Sequence, residues 1–111
     1  PVWFEAGRTD FIKRMGFPYS EIEESGFLLP LLELKCEYKG FAKYEDEILV
    51  KTRIKSVTYT RVVFYYEVYK NGCTAPITTG ETMHAWTNKE LKPLNIKKKA
   101  PHILDMLERC R

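Results

Sequence analysis

The sequence is poor in the residues that build disulfide frameworks and metal sites. It holds three cysteines, Cys36, Cys73 and Cys110, far apart and with no C-x-x-C pair, and only two histidines. That usage argues against a disulfide scaffold or a zinc site and suits a reducing, cytoplasmic setting. Long apolar runs are missing too: nothing approaches the roughly 18–20 residues of a membrane-spanning helix. Glu5, Arg8 and Asp10 break up the opening stretch, so no signal-peptide pattern begins the chain. An excess of one charge is also lacking. The net charge of +3 tolerates an anionic ligand but does not point to nucleic acid. Internal repeats, low-complexity tracts and linkers are absent.

What is present is a folding composition. With 44% hydrophobic and 14% aromatic residues, the chain belongs among folded proteins. Its 111 residues support one domain with a real core, but not two.

The chain opens PVWFEAGRTDFIKRMG. Phe4, Arg8, Phe11 and Met15 recur at helical spacing, flanked by Trp3, Ala6, Gly7 and Ile12, which predicts a helix with one wide apolar stripe. Gly16 is placed to stop it, and Pro18 prevents continuation. Gly7 in mid-helix costs about 1 kcal/mol relative to Ala, so its presence predicts close approach of another backbone. A short second helix, PYSEIEES, is expected to end at Gly26.

From residue 27 the period changes to two. In LELKCEYK, Leu32, Leu34, Cys36 and Tyr38 alternate with charged residues, predicting a strand with one dry and one wet face. EILVKTRIKSVTY repeats the pattern through Ile48, Val50, Thr52 and Ile54. TRVVFYYEVYK puts Val62, Phe64, Tyr66 and Val68 on one side. On its other side Val63, Tyr65 and Tyr69 are too apolar for open water and predict a subunit interface. Asn71-Gly72 signals a tight hairpin. The return strand, about Pro76 to Asn88, carries Gly80 and Ala85, which leave room for something packed close. Pro101 can begin a last helix with Ile103, Leu104 and Leu107 inward. The order predicts an α+β fold whose long antiparallel strands twist and curl around one apolar helix.

Several linked segments resemble the hot-dog fold thioesterases of the 4-hydroxybenzoyl-CoA thioesterase and YbgC-like acyl-CoA thioesterase family. They are W-F-E-A-G-R-T-D-F, G-F-P-Y-S-E-I-E-E-S-G, Y-K-G-F-A-K-Y-E-D-E-I-L-V-K-T-R-I, T-R-V-V-F-Y-Y-E-V and T-T-G-E-T-M-H-A-W-T-N, with a P-x-x-I-x-K tail. The resemblance covers nearly the whole chain and implies a single hot-dog domain over 1–111, a helix wrapped by a curled antiparallel sheet. It implies an acyl-CoA thioesterase that hydrolyses acyl-CoA or acyl-carrier-protein thioesters to acid and thiol without a cofactor. It also implies a homodimer or homotetramer, with the acyl group between the helix and a neighbouring subunit.

The same resemblance implies a first strand and a D-x-x-G…N-Y loop ahead of the helix, placing the expected catalytic aspartate upstream of Pro1. There a carboxylate attacks the carbonyl or activates water, while the positive helix end stabilises the oxyanion. A chain without that strand and loop is expected to be unstable and inactive. Within the chain, the resemblance implies that Thr58, Tyr59, Thr60 and Arg61 lie beside bound coenzyme A, where Arg61 could grip a phosphate bidentately.

Glu5 is a second candidate for the catalytic carboxylate, read first as a partner for Arg8. His84 reads as a strand-end surface or interface histidine, His102 as a helix-start residue, and Cys36 as a small core hydrophobe. Lys97, Lys98 and Lys99 read as a solvated turn, with a nucleotide phosphate or an acidic carrier protein as the functional alternative. A non-catalytic hot-dog module that binds acyl-CoA or serves as a scaffold is the competing reading. An RNA-binding platform on Phe64, Tyr65, Tyr66 and Tyr69 lacks the alternating basic residues it would need.

Overall fold

The computed structural model describes residues 2–14, 24, 26–43 and 45–111. Met15, Gly16, Pro18 and nearly all of the expected second helix lie outside the described residues. The elements are α1 (Val2–Arg14), β1 (Leu31–Tyr38), β2 (Ile48–Val57), β3 (Arg61–Lys70), β4 (Thr78–Ala85), a single turn α2 (Ile96–Lys99) and α3 (Pro101–Arg109). The strands form one antiparallel sheet in the order β1-β4-β3-β2.

Helix α1 lies across β2 and β3. Its buried residues, Phe4 and Ile12, fall on the stripe that the helical spacing predicts. Phe4 lies flat on Tyr66, with ring centroids 4.5 Å apart, and Phe11 meets Phe64 edge-on at 6.2 Å. At Gly7 the approach is as close as expected, but it is to side chains. A methyl there would stand 2.5 Å from Thr52 Oγ1 and 2.8 Å from Val50 Cγ1. α3 buries Ile103, Leu104 and Leu107 and packs against β2.

The inner face of β3, Val62, Phe64, Tyr66 and Val68, is buried as alternation predicts. Its outer face carries cations from β2. Lys51 stands over the Tyr69 ring at 4.9 Å and Arg53 over Tyr65 at 4.6 Å. Long cationic side chains lay apolar stems on aromatic rings while keeping their charge wet. The chain itself therefore shields these rings, and their exposure alone does not demand a second copy.

β1 departs from its predicted dry face. Leu31, Leu32, Leu34 and Tyr38 are exposed and only Cys36 is half-buried. The register explains part of this. A bulge between Leu31 and Glu33 puts Leu31, opposite His84, on the face of Leu34, Cys36 and Tyr38, so Leu32 leaves the alternation. The remainder follows from α1, which lies over β2 and β3 at the other side of the sheet.

The ends of β2, β3 and β4 fall inside the predicted spans. β2 stops at Val57 because Thr58 N–H turns back to the Arg61 carbonyl at 2.8 Å. β4 runs from Thr78, and Ile77 just ahead of it still donates its N–H to the Val68 carbonyl at 2.8 Å, while Pro76 has no N–H to carry the ladder further. Asn71-Gly72 does turn the chain, with Gly72 at φ 83° and Cys73 N–H donating to the Lys70 carbonyl at 3.0 Å. The connection nevertheless runs on to Ile77 before β4 starts, so it is longer than a two-residue hairpin.

Candidate functional site

Arg8 stands within the apolar stripe of α1, so burying that stripe obliges the sheet to offer polar partners. It offers them from β4 and β3. Arg8 Nη1 donates to His84 Nε2 at 3.3 Å. Thr82 Oγ1 lies 2.9 Å from the same nitrogen, and Tyr66 Oη lies 2.7 Å from Thr82 Oγ1. His84 Nδ1 is 3.1 Å from the Leu29 carbonyl.

That carbonyl can only accept, which assigns the imidazole proton to Nδ1. Nε2 then accepts from both Arg8 and Thr82, and Thr82 in turn accepts from the Tyr66 hydroxyl. The donors converge on His84 Nε2, and its Nδ1–H donates onward to the Leu29 carbonyl. The Phe64 ring closes the side of the imidazole edge-on at 5.7 Å.

His84 is 1% exposed, which corrects its reading as a surface or interface histidine. Register is the reason: His84 pairs with Val62 and Leu31, on the face that points toward α1. Burial, and then the neighbouring Arg8 charge, push its pKa down to about 4 against a smaller upward pull from the Leu29 carbonyl. Burial also raises the Tyr66 phenol pKa. Both groups are neutral at physiological pH. The Thr82–His84 contact resembles a nucleophile and its base, but both residues are buried and Nε2 is already engaged. The cluster holds α1 on the sheet.

Thr82 is the joint of this cluster. Thr82→Val is expected to cost about 2 kcal/mol, because the Tyr66 hydroxyl loses its acceptor and His84 loses a donor. In urea unfolding, Thr82→Val combined with Tyr66→Phe should cost clearly less than the two single losses added. Strict additivity would mean that the hydroxyls do not act as a pair.

Glu5 is exposed on α1, and the expected Glu5–Arg8 pairing gives way to Arg8–His84. The four predicted coenzyme A residues form the β2–β3 turn. Thr58 Oγ1 accepts from Arg61 N–H at 3.0 Å, and the Thr60 carbonyl accepts from Trp86 N–H at 2.9 Å. The Tyr59 carbonyl accepts from Ile96 N–H at 2.7 Å. The Tyr59 ring lies beneath Lys97 Nζ, 4.9 Å from its centroid. Arg61 and Tyr66 are five residues apart on β3, so this turn lies roughly 17 Å along the strand from Tyr66, where Phe4 stacks. Cys36, Cys73 and Cys110 are free.

The sequence reading missed the Arg8 cluster and the Tyr59–Lys97 contact. The first had a signal: an arginine on the helix stripe, and polar Thr82 and His84 on a strand face that alternation makes dry. The second had none, since it joins positions far apart in the chain.

A helix laid across a curled antiparallel sheet is the hot-dog fold. The thioesterase-like superfamily profile matches residues 1–108, and the chain belongs to that superfamily. YneP of Bacillus subtilis, provisionally named an acyl-CoA thioesterase, is 33% identical over 101 residues, covering 90% of this chain and 72% of its own. The DHNA-CoA thioesterase structure from Staphylococcus aureus superposes with a TM-score of 0.90 at 28% identity, covering 97% of this chain and 72% of that one. The Thermus thermophilus protein TT1821 gives 0.89 at 26% identity, covering 99% and 81%.

Proposed function

We propose that this protein is an acyl-CoA thioesterase, splitting the thioester into free acid and thiol by hydrolysis. The observation that carries this reading is the likeness to thioesterases along nearly the entire chain, in sequence and in fold together. In this reading the nucleophile is the aspartate that the family resemblance places just ahead of α1. The positive end of α1 then faces the thioester carbonyl, where a helix N-terminus stabilises a developing oxyanion. The pantetheine arm runs from there toward Thr58, Tyr59, Thr60 and Arg61. Glu5, exposed one turn into the helix, is a bystander.

A homodimer or homotetramer belongs to the same proposal. Its support is β1, a sheet edge that exposes Leu31, Leu34 and Tyr38 together, an arrangement that invites strand pairing with another chain. The cytoplasm is the proposed location, supported by three free thiols. No helix among the described residues is long and apolar enough to cross a membrane.

The test is release of free thiol from a panel of short, long and aromatic acyl-CoAs by the purified natural protein. At least one substrate should reach a kcat/KM on the order of 10⁴ M⁻¹s⁻¹ or more. Coenzyme A binding without turnover of any thioester would instead establish the non-catalytic module.

A further inference from the structure

Arg8 brings a charge onto the stripe of α1 that faces the sheet, and the sheet gives it no opposite charge. Among the described residues no carboxylate pairs with it. Its guanidinium reaches the neutral imidazole of His84 instead, at 3.3 Å. The two are poorly matched in charge: after burial, Arg8 is the next cause that pushes the His84 pKa down to about 4. A half-buried cation without a counter-ion costs stability that an apolar side chain of similar length would not. Nor does His84 need an arginine. Thr82 Oγ1 already stands 2.9 Å from Nε2, and the Leu29 carbonyl takes the Nδ1 hydrogen at 3.1 Å. Stability alone gives no reason for Arg8.

What Arg8 adds is direction. The other supports of α1 are apolar: Phe4 flat on Tyr66, with ring planes 9° apart, and Phe11 edge-on to Phe64. Gly7 offers no side chain where Val50 and Thr52 come closest. Dispersion and burial have no preferred direction, so stacked rings can slide and a helix can roll on them. A hydrogen bond weakens steeply off its angle. The Arg8–His84 bond therefore sets both the slide and the roll of α1. Its footing is firm. Tyr66 is fully buried, carries Phe4 on its ring, and holds Thr82 Oγ1 at 2.7 Å with its hydroxyl. Val2 lies six residues ahead of Arg8, about 9 Å along the helix axis, so a displacement at Arg8 is passed on to the N-terminal end.

We propose that Arg8 is a positioning residue, which through His84 and Thr82 aims the N-terminal end of α1 at the thioester carbonyl. The assignment rests on the thioesterase reading above. It goes beyond that reading by naming the side chains that keep the helix end in place during the reaction. Donors aimed at a developing oxyanion act through preorganisation, and a misplacement of about 1 Å can cost on the order of a hundredfold in rate.

Arg8→Met in the natural protein separates aim from stability. The apolar replacement suits the stripe and leaves His84 bonded to Thr82 and Leu29, so the thermal midpoint should stay within about 3 °C of the parent. Its kcat on the best acyl-CoA should nevertheless fall about tenfold or more, with KM within about twofold. Arg8→Lys, which keeps a charged donor, should recover part of the loss. Leu107→Val, a buried change on α3, should lower the midpoint and leave kcat alone. Hydrogen exchange over α1 should quicken several-fold in Arg8→Met, with β3 and β4 unaltered.

Parental kcat in Arg8→Met, or parental exchange over α1, would overturn the proposal. So would a kcat loss that merely follows the midpoint, in Arg8→Met or in Leu107→Val, or an Arg8→Lys no better than Arg8→Met. A parent that hydrolyses no thioester, while α1 still loosens in Arg8→Met, would sink the thioesterase reading and the catalytic part of this assignment together. Turnover in the parent with an unaltered Arg8→Met would sink the positioning role alone.

Discussion

Gly80→Ala is expected to lower the thermal unfolding midpoint by roughly 10 °C or more, a loss of about 3 kcal/mol. Its backbone is not left-handed, since among the described glycines only Gly26 and Gly72 have positive φ; space alone forbids a side chain. A methyl group at Gly80 would overlap the Phe4 ring on one side and stand 2.5 Å from the Lys35 carbonyl on the other. The ring cannot retreat freely, because it stacks on Tyr66. The carbonyl cannot either, because it lies on β1 in the ladder with β4. Differential scanning calorimetry reads the loss directly. Phe4→Leu should relieve the ring overlap but not the carbonyl contact, so the double variant should lose less than the sum of the singles. A midpoint within about 2 °C of the parent would show that the Phe4 ring does not lie against Gly80 as described.

Acid should destabilise the fold through His84. Its folded pKa, about 4, lies below the ordinary value near 6.5. Between those two values the unfolded chain binds more protons, and stability rises with pH wherever that holds. The full contribution is therefore present above about pH 6.5, drains away as the pH falls toward 4, and levels off below that. The loss across this window is about 3 kcal/mol. Asp46, whose carboxyl is held below the usual range chiefly by the Lys43 N–H, loses its contribution at lower pH still.

Urea midpoints from pH 7.5 to 4 measure the effect. His84→Gln should flatten the profile. Arg8→Met, which removes the second cause of the shift, should shrink it without abolishing it. A His84→Gln profile parallel to the parent would place the acid sensitivity elsewhere.

How far these features could be read in advance varied with their range along the chain. Strand existence and faces were legible wherever one strand buries one side, as at Val62, Phe64, Tyr66 and Val68. Gly7 and Gly80 announced close packing correctly, because a glycine inside a regular element needs a reason. β1 misled because alternation reports which face is apolar, not whether anything covers it. Beside Tyr65 and Tyr69, alternation did not announce the arginine and lysine stems that the next strand lays on them. His84 was misplaced because its burial depends on register with strands far away in sequence. The candidate coenzyme A residues came from family resemblance alone. Their tie to Lys97 emerged only from the packing of α2 on the hairpin.

The sheet order also carries a timetable. β2, β3 and β4 follow one another and pair as neighbours, so their contacts close short loops at small entropic cost. The His84–Leu29 and Arg8–His84 bonds span 55 and 76 positions, and such contacts reward the chain only after the costly loops have closed. The meander is then expected to form ahead of the polar cluster, with His84 meeting Arg8 only when α1 docks. Until that moment the imidazole is in water and holds its ordinary proton affinity. In mild acid the docking step must therefore expel a proton, so acid should act as a brake on the last stage of folding as well as a burden on the finished fold.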